Sequence, residues 1–188
     1  MSELDGTDGR GLGSPGARVA QAVERWGEGD VVRGCGRLLG LRTAPAGDDA
    51  ELAMVLGGVS DPTWLAGGKP PGHAYWARVW AARALLYVWD AVAAEAIVTA
   101  LEDPQWRVRE MATKVITRRE VPAADDMVGL VDDPSWRVRV AAARALAAVG
   151  EGEHSPALET MAEDTDGRVA RAAATALDNL ARRLDRPL

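Results

Sequence analysis

The chain has 188 residues, 47% apolar and 27% charged, with 28 acidic against 22 basic side chains and a formal charge of -6. These values fit one globular domain or a short repeat array and exclude a wholly disordered or fibrous chain. The negative balance speaks against a surface built for phosphate backbones, and a lone cysteine, Cys35, excludes an intrachain disulfide framework.

Residues 1–17 carry Gly6, Gly9, Gly11, Gly13 and Gly16 with scattered charge, and are expected to form a disordered tail. The segment lacks the apolar run of a secretory signal, and no stretch of the chain approaches the roughly 20 apolar residues of a membrane span. A cytoplasmic protein without a membrane partner is therefore expected. Gly11-Leu-Gly13-Ser-Pro-Gly16 fits G-x-G-x-x-G, but no strand precedes it and no βαβ unit follows, so the dinucleotide reading fails its context.

Arg18 to Trp26 predicts a capping helix that ends at Gly27-Glu-Gly-Asp30. Asp30 suits the start of a second helix reaching Leu41, and Asp48 or Asp49 the start of a third reaching Val59. Residues 18–62 thus make an N-terminal cap and a degenerate repeat. Residues 63–74 form an insertion in which Gly67, Gly68, Pro70, Pro71 and Gly72 break regular structure.

From residue 75 to 188 the chain repeats itself. Asp103-Pro-Gln-Trp106-Arg107-Val108-Arg109 recurs 30 residues later as Asp133-Pro-Ser-Trp136-Arg137-Val138-Arg139. A weaker copy starts at Asp164, and an earlier one at Tyr75-Trp76-Ala77-Arg78. Each start leads into an Ala-rich run with one apolar face, as in Val138, Ala141, Ala142, Ala145 and Leu146 at i, i+3, i+4, i+7 and i+8. A second helix follows each first one, marked by Ile97, Ala100 and Leu101, then Met127, Leu130 and Val131, then Leu158, Met161 and Ala162. Asp103 and Asp133 are expected at N-cap, with Pro104 and Pro134 at N1. The pattern predicts an all-α solenoid of stacked antiparallel helix pairs with a period of about 31 residues, closed by a C-terminal capping helix.

The motif Asp-Pro-x-Trp-Arg-Val-Arg-x-x-Ala-x-x-Ala-Leu resembles the HEAT repeat of the phycobilisome-lyase-like type found in bacterial proteins. The resemblance covers residues 73–185 well and 30–62 weakly. It implies an α-solenoid used for protein recognition, and a ladder between repeats in which an Asp pairs with an Arg six positions on: Asp103 with Arg109 and Asp133 with Arg139. The ladder departs from the pattern at Ala170, which replaces the Arg, and at Gly72, which replaces the Asp.

Chemistry-bearing motifs are sparse. No His, Cys and carboxylate spacing predicts a metal site, and no nucleophile elbow or phosphate loop predicts catalysis, so neither a cofactor nor a catalytic residue is assigned. Cys35 reads as a small apolar helix residue, and Glu153-His154 as a solvated turn. The aromatic set is seven Trp, two Tyr and no Phe. Tyr75, Trp106 and Trp136 share one repeat position and predict an edge ladder over the seams. Trp76, Trp80 and Tyr87 are less regular and offer an alternative function: a ligand pocket or small enzyme site roofed by the insertion. A third reading is a HEAT-like alkylpurine DNA glycosylase, by a loose likeness of Trp106 and Glu110. It is disfavoured by the acidic charge and by Val140 and Arg171 at the position of Glu110.

Charge segregates by helix layer. Gln105 to Arg119 carries +4 and Ser135 to Val149 +3, whereas Glu120 to Asp133 carries -5 and Gly150 to Asp166 -6. Second helices line the groove of HEAT-like solenoids, as the resemblance implies. The expected function is therefore a scaffold or adaptor that binds a basic protein or peptide, with Asp125, Asp126 and Glu159 as the recognition residues.

Overall fold

A computed structural model describes residues 13–61, 63, 65 and 74–185, and among these residues every regular element is helical. The chain divides into two compact units, residues 1–88 and 89–188. The division falls inside the segment read from the sequence as the first regular repeat, rather than at the insertion.

The first unit holds α1 (Pro15–Trp26), α2 (Glu28–Gly40), α3 (Gly47–Gly57) and α4 (Tyr75–Ala84). Helix α1 begins at Pro15, three residues before the expected Arg18. Ser14 caps it by accepting the Ala17 N–H at 3.3 Å, and Pro15 opens the first turn, where no donor is lost. The expected tail therefore shortens, and its first twelve residues lie outside the described ones. In α2, Val31, Val32, Cys35, Leu38 and Leu39 recur on one face and are buried. Helix α4 packs on α2 and α3, which is why it belongs with the N-terminal residues. Its Trp80 lies directly over Gly57, where a Cβ would fall inside the ring's van der Waals contact.

The second unit holds α5 (Ala94–Thr99), α6 (Trp106–Arg119), α7 (Ala124–Val128), α8 (Trp136–Val149), α9 (Ser155–Ala162) and α10 (Gly167–Leu184). Long first helices α6, α8 and α10 pack in sequence, and each short second helix leads into the next first helix. The alternation is the α-solenoid pattern the repeats predict. Val138, Ala141, Ala142, Ala145 and Leu146 are all buried, and Ile97, Met127, Leu158 and Met161 fill the space between the layers. The small residues let first helices approach closely, while the large ones come from the second helices.

The expected N-caps are corrected. Helices α6 and α8 start at Trp106 and Trp136, so Asp103 and Asp133 stand two residues before the cap positions Gln105 and Ser135. Each carboxylate instead accepts an N–H two residues on: Gln105 at 2.8 Å and Ser135 at 2.8 Å. Pro104 and Pro134 sit in these Asx turns, where their fixed φ favours the bend. The cap position is lost because the carboxylate faces inward, toward the core of the stack.

Candidate functional site

The Asp–Arg ladder runs between repeats, one repeat out of step with the sequence pairing. Arg109 donates Nε to Asp133 Oδ2 at 2.6 Å and Nη2 to Oδ1 at 2.9 Å, while its Nη1 reaches the Asp103 carbonyl at 2.7 Å. Arg139 repeats the arrangement with Asp164, at 2.6 and 3.2 Å, and with the Asp133 carbonyl at 2.7 Å. The planar guanidinium thus clamps two consecutive turns, through charge-assisted bonds on one side and a carbonyl on the other. Arg139 holds the Asp164 carboxyl below the usual carboxylate range. At the Ala170 position no guanidinium is available to extend the series.

The edge ladder of rings is present in the second unit and is interleaved with cations. Arg137 lies 5.3 Å from the Trp106 ring centre and 4.4 Å from that of Trp136, and Arg168 lies 3.6 Å over Trp136. These guanidiniums belong to the basic first-helix layer, so part of its charge is spent on cation–π packing. Glu110 makes an ion pair with Lys114 at 2.8 Å on the same helix, and Trp106 is stacked with Arg107 and Arg137. The Trp106–Glu110 pair is thereby absorbed into local structure.

Trp76, Trp80 and Tyr87, the rings of the aromatic-pocket reading, differ in burial and partners. Trp80 is 7% exposed and packs as core over Gly57, whose missing side chain leaves room for the indole. Trp76 stacks on Trp80 at 6.3 Å and on Tyr75 at 5.2 Å. Tyr87 is 51% exposed and rests against Gly16 of α1. Of the residues expected to roof these rings, 63–73, only Thr63 and Leu65 are among the described residues. Cys35 is fully buried and its thiol is pushed up to about 12 by burial, which keeps it protonated and unreactive.

His154 is also corrected, from solvated to buried. Its Nδ1 accepts the Glu151 N–H at 2.8 Å, so the proton sits on Nε2, which donates to Asp125 Oδ1 at 3.2 Å. This bond joins the turn before α9 to the start of α7. The Asp125 side chain is otherwise open to solvent.

The acidic layer is the remaining candidate. The second-helix segments Asp90–Glu102, Glu120–Asp132 and Glu151–Glu163 contain no Lys or Arg. Asp126 and Glu159, two of the expected recognition residues, are exposed, as are Glu95, Glu102, Asp132 and Glu163. Asp126 lines a groove of about 440 Å³ between α5 and α7, together with Glu102, Leu101 and Leu130. A second groove of about 310 Å³, after α7 and beside α9, is lined by Asp132, Thr160, Met161 and Glu163 together with the Arg139–Asp164 pair. Sequence reasoning missed Glu102, Asp132 and Glu163. Their signal was an acidic residue directly before each ladder Asp.

Among the described residues no group of three His, Cys or carboxylate side chains has metal-binding geometry, and no helix is long and apolar enough to cross a membrane. Residues 127–183 match the family of HEAT repeats. No curated protein matches the sequence. Among solved structures, the chain is similar to one in the complex of CpcE and CpcF of phycocyanin lyase from Nostoc sp. PCC7120. The two share 22% identity with a TM-score of 0.58, over 97% of this chain and 70% of that one.

Proposed function

Because the chain is a HEAT-repeat protein with the fold of that lyase complex, we propose that it is a protein-interaction module whose acidic second-helix face binds a basic protein or peptide. The observation that carries this reading is the division of charge in residues 89–188. The ladder aspartates are neutralised by Arg109 and Arg139, while the second-helix carboxylates are exposed and share their segments with no Lys or Arg. An uncompensated negative face raises the local concentration of a cationic partner and repels phosphate backbones. The solved relative is itself a complex of two subunits, which fits a surface that serves another protein.

The test is the association rate of a basic partner recovered by affinity capture. Association is faster at low salt and slows on combined charge reversal at Asp125 and Asp126, with an unchanged helical spectrum. Binding that survives the reversal but is lost on Trp76→Ala in a folded protein overturns the proposal.

A further inference from the structure

The two grooves of the second unit lie at successive seams between second helices. Leu101 and Leu130, both nearly buried, floor the first, with Val98 and Gly129 beside them and Glu102 and Asp126 as its charged lining. Gly129 matters here because it places no side chain in the space. The second seam offers Val131, Met161 and Thr160, with Asp132 and Glu163 as its exposed carboxylates, and with Arg139, neutralised by Asp164, also in its lining. The first seam is thus an apolar trough bordered by carboxylates, and the second a more polar one in which the Arg139–Asp164 pair lies beside two exposed carboxylates.

Those carboxylates are in register. Glu102, Asp132 and Glu163 each stand directly before a ladder residue, Asp103, Asp133 and Asp164. The chain is extended at Asp103, so neighbouring side chains point apart. Asp103 and Asp133 turn into the stack, where Asp133 is held by Arg109, while the preceding residue in each repeat faces solvent. Glu102, Asp132 and Glu163 make no ion pair with any described residue. The result is a row of three free carboxylates, one per repeat.

The spacing of that row selects a ligand. The first helices that follow these carboxylates, α6, α8 and α10, pack on one another in sequence, and packed helices lie about 8–10 Å apart. An extended chain advances about 3.1–3.4 Å per residue, so three residues cover about 10 Å. We propose that residues 89–188 bind an extended segment carrying Lys or Arg at every third position, each cation on one of Glu102, Asp132 and Glu163. The aliphatic stems of these cations lie in the two seam grooves, where their methylenes meet Leu101, Leu130 and Met161. This deepens the proposed function and rests on the acidic face being the binding surface. A helical partner is a poor fit, since a helix rises about 1.5 Å per residue and needs its cations about seven residues apart.

The experiment is a titration of the full chain with four fluorescently labelled synthetic peptides of equal length and composition, made of Lys, Ala and Ser. Three lysines are placed at every third position, at every second, in one block, or at every seventh. The every-third peptide binds at least about 10-fold more tightly than the block peptide near physiological salt. The triple variant Glu102→Gln, Asp132→Asn, Glu163→Gln, in which all three changes are exposed, loses that preference and keeps its helical spectrum, and Glu28→Gln in α2 leaves it intact. Equal binding of all four peptides overturns the register while sparing the acidic face. Tighter binding of the every-seventh peptide overturns it in favour of a helical partner. No binding of any peptide at low salt overturns the register and the acidic face together.

Discussion

The two units solve the same packing problem with different chemistry. In residues 89–188 the α6–α8 and α8–α10 junctions each carry a partly buried guanidinium clamped on a carboxylate, with Asp133 only 3% exposed at its side chain. In residues 13–88 two ion pairs lie toward the surface: Arg25 meets Glu51 at 2.5 Å with both side chains 55% exposed, and Arg37 meets Asp49 at 2.8 Å, while the buried Arg78 reaches the Leu41 carbonyl at 3.1 Å. There the helices are also fitted by close approach, with Trp80 over Gly57 and Leu52 over Gly34. A polar device of this kind can be copied from repeat to repeat, because each Arg needs only the next Asp. A packing device has to be fitted once at each site. The comparison explains why one unit announces itself in the sequence and the other does not.

The largest effect should come from breaking the buried clamp. Arg109→Met leaves the Asp133 carboxylate inside without its cation, and a loss of about 3–5 kcal/mol is expected from urea unfolding. The packing device is tested by Gly57→Ala, which drives a methyl into the Trp80 ring and should cost about 1–3 kcal/mol. A neutral or stabilising result would show that the ring can move aside.

The ladder also has a pH signature. Arg139 holds the Asp164 carboxyl below its ordinary value, so its contribution is fully present above the unfolded pKa of about 3.9. That contribution is lost as pH falls through the lower folded value. Asp164→Asn should therefore flatten the acid loss of stability below about pH 4 and lower stability at neutral pH. The smallest effect is expected in the first unit. Arg25→Met breaks an exposed pair and should change stability by less than about 1 kcal/mol. A larger loss there would erase the contrast between the units.

The legibility of the sequence follows the same divide. The recurring Trp-Arg-Val-Arg and the i, i+3, i+4 spacing of Val138 through Leu146 locate the first helices of the second unit, since helical period and repeat period reinforce each other. The N-cap reading of Asp103 and Asp133 fails because a contact one repeat away outcompetes the local cap. His154 is misplaced for the same reason: its partner Asp125 lies 29 residues earlier. In the first unit, Ser14-Pro15 was a legible helix start, but the surrounding glycines pulled the boundary to Arg18. The seam grooves are legible only once the second helices are seen to be short, leaving Gly129 and Thr99 at the surface. The carboxylates that border them were visible as a repeat position, yet nothing in the local sequence separates Glu102 from the buried Asp103 beside it.

The central claim, that the acidic second-helix face is the binding surface, is tested most directly by mapping where a partner touches it. Carbodiimide joins carboxylates to nearby lysine amines, so cross-linking the full chain in its native extract, followed by peptide mass spectrometry, reads the interface residue by residue. The account predicts that partner lysines are joined to Glu102, Asp126, Asp132, Glu159 and Glu163, and that raising the salt diminishes these cross-links. Cross-links confined to carboxylates of residues 13–88, such as Glu24, Glu28 or Asp48, would contradict it.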